Sequence, residues 1–209
     1  MRPGIGGRRL AGVLALGLVA SGLAAQGPAA RTGPSFVVAR YSTAAATTLY
    51  AGYQVRRLVG FVGLVQHPSS GYREALAGVG VTVRGAGWSL LAGVAGASAS
   101  DAWYAQGYLV PEVRVGRLEL AATFEVYQPL EAAGAYQAGF TPLTALLRLA
   151  PGVDAGAAYL LSATRGAPDG HGIGPSLRVG VPSGSLRLDI VHGFGAAADE
   201  ARLTLTTGF

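Results

Sequence analysis

The chain has 209 residues, of which 50% are hydrophobic and 13% charged, with 33 Gly and 11 Pro; it is too apolar to stay disordered and too interrupted for long helices. Cys and Lys are absent and all 16 basic residues are Arg, which excludes disulfides, thiolate metal sites, a catalytic Cys, a Schiff-base Lys and a P-loop Lys. The formal charge of +5 includes Arg2, Arg8 and Arg9, and apart from Arg56-Arg57 the other Arg residues are spaced singly, so the basic stripe of a nucleic-acid binder is missing.

Residues 1–25 read as a signal peptide. Arg2, Arg8 and Arg9 make a positive start, Leu10 to Val19 an apolar run, and Ser21 to Ala25 a small-residue cleavage site before Gln26. The apolar run is too short for a good spanning helix, and no later stretch reaches eighteen continuously apolar residues. Residues 26–33 form a short N-terminal segment, and 34–209 a single further domain with no linker or composition break.

From Pro34 onward the pattern has period two. It predicts strands over 34–43, 46–56, 58–66, 72–83, 86–98, 102–115, 117–127, 135–149, 154–164, 172–181, 185–194 and 200–209. In 117–127, Leu118, Leu120, Ala122, Phe124 and Val126 alternate with Glu119, Thr123 and Glu125; in the last strand, Leu203 and Leu205 alternate with Arg202 and Thr204. Pro142 points to a bulge within 135–149. The breaks alternate between very tight turns (Arg56-Arg57, 84–86, Gly116, 151–153, 182–184) and longer loops. Short turns at one end and longer loops at the other suit a transmembrane barrel. The fold class expected is therefore all-β: one transmembrane antiparallel up-and-down β-barrel of about 12 strands, or ten if 46–56 merges with 58–66 or the first strand is trimmed.

In such a barrel the apolar face points outward to lipid and the polar face inward. The alternative is a soluble sheet with surface ion pairs. Mid-strand charges decide for inversion, since a bilayer rejects them. The candidate pore-lining residues are Arg56, Glu74, Arg84, Glu112, Arg114, Glu119, Glu125, Arg148, Arg178, Arg187, Asp189 and Arg202, with Tyr50, Gln54, Tyr104, Gln106 and Tyr108 among them. Tyr41, Tyr53, Tyr72, Trp88, Trp103, Phe124, Phe194 and Phe209 fall near predicted strand ends, as interfacial girdles would. Gly78, Gly80, Gly93 and Gly96 match no phosphate-cradling motif; they let strands coil tightly or leave space inside.

The last strand, with Leu203 and Leu205 at alternate positions before a terminal Phe209, resembles the assembly signal of bacterial outer-membrane β-barrel proteins. Thr207 departs from the apolar or Tyr residue usual there. The resemblance implies export to the bacterial outer membrane, periplasmic chaperones and the barrel-assembly machinery as transient partners, and outer-membrane lipid as the lasting one. Some barrels of this size are lipid enzymes with a His-x-Ser pair or a Ser-His-Asn set. Here His192 is followed at 194 by Phe, and no Ser lies within two residues of it, so no catalytic residue, cofactor or metal site is assigned. His67, His171 and His192 all fall at the long-loop end, on elements too far apart to suggest a shared ligand. The function expected is a narrow channel or transporter for small polar solutes. A closed structural or interaction barrel is the alternative, and a lipid-modifying enzyme is disfavoured.

Overall fold

The computed structural model describes residues 35–44, 46–67, 70–100 and 102–208. The expected signal peptide, the 26–33 segment and Phe209 lie outside the described residues. Twelve strands follow one another: β1 Ser35–Ser42, β2 Thr47–Val55, β3 Leu58–His67, β4 Tyr72–Gly85, β5 Trp88–Ala99, β6 Trp103–Val115, β7 Leu118–Pro129, β8 Gln137–Ala150, β9 Val153–Thr164, β10 Gly170–Val181, β11 Gly184–Gly195 and β12 Glu200–Gly208. Each pairs antiparallel with its sequence neighbours, and β1 pairs with β12, so the sheet closes into a barrel. Closure leaves no unpaired sheet edge, which is what a strand needs to cross hydrocarbon. The strand count is twelve rather than ten because Arg56-Arg57 is a complete two-residue hairpin turn between Val55 and Leu58.

Five connections have two residues: Arg56-Arg57, Ala86-Gly87, Gly116-Arg117, Pro151-Gly152 and Pro182-Ser183. Two-residue hairpins favour left-handed backbone, and in four of the five Arg56, Gly87, Gly116 and Gly152 supply it with φ of 55°, 76°, 59° and 73°. The β4–β5 turn sits two residues later than the sequence suggests, because β4 keeps its pairing through Gly85↔Trp88. The six connections at the other end are longer, and 130–136 between β7 and β8 is the longest.

Alternation sorts the side chains by face. Val62, Leu64, Val79, Val94, Ile173 and Ile190 are all more than half exposed on the outer wall, while Glu74, Glu119, Asp154, Asp189 and Arg202 are buried. That is the inverse of a soluble protein and the pattern of a wall between lipid and a polar interior. Two prolines interrupt rungs without shifting register: the β6–β7 ladder skips beside Pro111 and the β10–β11 ladder beside Pro175, as expected of a residue with no N–H to donate. At Thr141-Pro142 the register does shift. Two residues of β8 oppose one on each neighbour, which is a bulge.

The aromatic girdle is incomplete. Tyr72 shares a face with Glu74 and donates to its carboxylate at 2.7 Å. Phe124 sits in the middle of β7, packed on Phe140 at 5.3 Å. Inside the barrel, glycine makes room for rings. A Cβ on Gly78 would collide with the Phe61 ring, and one on Gly93 with Tyr108. Phe61 and Tyr108 meet edge to face at 5.0 Å.

Candidate functional site: a charged inner wall

The inner wall is built by every second residue of strands whose outer residues are Leu, Val and Ile. Its charged groups gather in three clusters, and in the first of them hydrogen bonds skip strands. Arg178 on β10 reaches past β9 and β8 to Glu119 on β7, with two parallel bonds, one from Nη2 to Oε2 at 2.9 Å. The same guanidinium donates to Asp154 on β9 at 2.9 Å from Nε and 2.7 Å from Nη2. Arg114 adds a bond to Glu119 at 2.5 Å and one to Glu112 at 3.2 Å, and Arg148 stands 3.5 Å from Asp154. Three arginines thus share three carboxylates across five strands. Charge-assisted, partly bidentate pairs of this kind are the strong class of hydrogen bond.

A second cluster lies on β10 and β11. Asp189, with no exposed surface, accepts from Ser176 Oγ at 2.6 Å and from Arg187 Nε at 3.1 Å. A third lies on β12, where Arg202 holds Glu200 through Nε at 2.6 Å and Nη2 at 3.0 Å, with Arg40 of β1 acting on Glu200 through space. On the opposite side, Gln106 on β6 reaches past β5 to donate to Glu74 on β4 at 2.5 Å. Tyr104 beside it is buried, with its ring at 6.3 Å from Tyr127. Glu125 accepts from Tyr127 at 3.3 Å.

The candidate residues separate by position. Glu74, Glu112, Arg114, Glu119, Glu125, Arg148, Arg178, Arg187, Asp189 and Arg202 are on strands and belong to these clusters or face them. Arg84, near the end of β4, is exposed at the short-turn rim, in a cleft with Trp88, Ser89, Glu112 and Arg114. Arg56 is in the β2–β3 turn rather than on a strand. Leu203 and Leu205 are on the outer face of β12, opposite Leu188 and Leu186.

Three charged members escape a reading of the pattern alone. Arg40 shares its face with Phe36 and Val38, so β1 shows no polar side in sequence. Asp154 follows a turn by one strand residue, and Glu200 opens its strand. For Asp154 the register carries the signal, since it pairs with both Arg148 and Arg178.

The histidines do different things. His171 accepts or donates with Tyr159 Oη at 2.8 Å and stacks on Phe194 at 5.3 Å. His192 Nδ1 lies 2.7 Å from Asp199 Oδ1 in the exposed β11–β12 loop, and the Gly193 N–H donates to the same oxygen at 3.0 Å. The Gly193 amide, and then His192, hold the Asp199 carboxyl below the ordinary Asp range. No group of three His, Asp or Glu suited to a metal occurs among the described residues.

No protein-family model matches the chain, and no curated protein matches it. Among solved structures, the KdgM porin is similar with a TM-score of 0.58 at 10% identity, over 84% of this chain and 99% of that chain. The KdgM porin in complex with disordered oligogalacturonate gives 0.57 at 9%, over 84% and 98%. The NanC porin gives 0.55 at 7%, over 84% and 98%. At such identities the likeness speaks for the fold. In that sense it agrees with the closed ladder, the inverted faces and the last strand: the chain has the architecture of bacterial outer-membrane β-barrel proteins.

Proposed function

We propose that the protein is a narrow outer-membrane channel for small polar solutes. One observation carries the reading: charged side chains from β4 to β12 and β1 meet inside a closed barrel whose outside is apolar. Burying so many charges is costly unless they are paired, and a fold serving only as an anchor is better filled with apolar residues. Twelve strands enclose more space than the eight whose side chains fill a barrel, and the longest connection, 130–136, is too short to plug it. The similar structures are porins, which supports a channel, and the oligogalacturonate held by one of them is a polar, charged solute. Insertion by the barrel-assembly machinery, with chaperones on the way, follows from the resemblance of the last strand. The proposed pore wall comprises Glu74, Glu112, Arg114, Glu119, Glu125, Arg148, Arg178, Arg187, Asp189 and Arg202, with Arg84 at its short-turn mouth.

A second reading has its own support. The bonds that skip strands, Arg178–Glu119 and Gln106–Glu74, brace the interior, as a closed structural barrel would require. Liposome swelling separates the two. Vesicles carrying the refolded mature chain should swell in small uncharged sugars and not in larger oligosaccharides. Swelling no faster than in empty vesicles, with folded protein present, would leave the closed barrel.

A further inference from the structure

The strand register places a transverse row of side chains at one level of the inner wall. Across β10, β11, β12, β1 and β2 it runs Arg178, Arg187, Thr204, Arg40, Thr48. The next row carries Asp189, Arg202 and Ser42. Arg178 and Arg187 are direct cross-strand partners, an arrangement that repels unless anions intervene. Glu119 and Asp154 take Arg178, Asp189 takes only the Nε of Arg187, and Glu200 takes one edge of Arg202. Arg40 has no carboxylate bonded to it. Glu125 on β7 and Glu200 on β12 act on it only through space, and Tyr50 stands beside it.

The same place gathers unmade hydrogen bonds. Five buried side-chain polar atoms among the described residues have no partner, and four are here: Arg40 Nε, Thr48 Oγ1, Thr204 Oγ1 and Arg202 Nη1. Arg202, Thr48 and Thr204 are all more than nine-tenths buried. Pairing puts Arg40 between Thr48 and Thr204, and Arg202 lies two residues from Thr204 on the same strand. Two guanidinium N–H groups and two hydroxyls that can donate thus line one spot. A buried donor without an acceptor is costly. Water would satisfy the bonds but add no negative charge beside Arg40, Arg187 and Arg202. A carboxylate does both, because its two oxygens accept about four hydrogen bonds.

We propose that Arg40, Arg202, Thr48 and Thr204, flanked by Arg187, form a binding subsite for the carboxylate of an anionic solute. The inference rests on the channel reading and names the class of solute that the channel takes. It predicts two properties. The pore prefers anions, and a simple carboxylate occupies the subsite even when no current flows.

The experiment has two arms on the refolded mature chain. In planar bilayers under a KCl gradient, the reversal potential should show anion preference, and Arg40→Gln with Thr204→Val should reduce it. In detergent, with folding followed by heat-modifiable gel migration, sodium acetate should raise the melting midpoint more than acetamide with matched sodium chloride. In the double variant, half-saturation by acetate should weaken by about tenfold or more, as loss of a charged hydrogen bond implies. Thr204→Val alone, which keeps shape and charge, should show an intermediate shift and guards against a folding defect. Conductance without anion preference, with acetate acting equally on wild type and variants, would overturn the subsite and leave the channel standing. An equal shift by chloride would make it a halide site and overturn the carboxylate assignment. A carboxylate-specific shift that the variants weaken, in a protein that passes no current, would keep the subsite and remove the channel.

Discussion

Glu119 shows how much one inner-wall residue holds. It is buried, and its two oxygens receive Arg178 from β10 and Arg114 from β6. Glu119→Gln keeps the shape and leaves two guanidinium groups short of a charge. Unfolding in urea from lipid vesicles should show a loss on the order of 3 kcal/mol, the usual cost of breaking a buried pair; an unchanged midpoint would mean that the cluster is solvated and slack. At the exposed loop the effect runs through protons. The Asp199 carboxylate is favoured by the folded loop, so its contribution is present above the unfolded Asp value and is lost as pH falls through the lower folded value. An NMR titration should place the Asp199 midpoint below the ordinary value near 3.9, with the Gly193 amide shifting together with it. A midpoint at or above the ordinary value would mean that the His192 and Gly193 contacts do not persist. At this scale the sequence was readable where charge alternated with Leu or Val, as in Glu119 and Arg178. It was not readable at Arg40, whose face-mates Phe36 and Val38 hide the inner side of β1, or at Asp154, which a turn obscured.

The strands were the most legible feature, since a period of two separates the faces wherever one meets lipid. Most of the connections could be located because Gly or Pro marks them, Arg56-Arg57 being an exception; Ala86-Gly87 was displaced only because Gly85 is still in the ladder. The bulge at Thr141-Pro142 was signalled by its proline, but the phase change that it causes in 137–140 needs the partners β7 and β9 to be seen. The girdle was over-read, because a ring near a strand end in sequence can point inward, as Tyr72 does. The lipid-facing assignment makes a prediction for elements. Val79, 63% exposed in mid-β4, should tolerate Leu and not Arg. Val79→Arg should lower folding stability in bilayers by about 2–4 kcal/mol, as charge at the membrane midplane does. A cost near zero would place that face in water.

For the whole molecule, closure is what turns a set of alternating strands into a wall with two solvents. β1 and β12 pair over seven residues, from Phe36↔Gly208 to Ser42↔Arg202, which brings Arg202 beside the β1 residues and completes the charged interior. Only the long-range pairing determines which charges meet. Sequence spacing gave their face, while Glu119 and Arg178, 59 residues apart, become partners through the curvature of the barrel. The central claim is that this interior is an open polar path. It is tested most directly by the ion conductance of the refolded chain lacking residues 1–25 in a planar bilayer. The account predicts steady current steps, altered by Arg114→Glu at the edge of the Glu119 cluster. A barrel that migrates as folded on a gel and passes no current would contradict it.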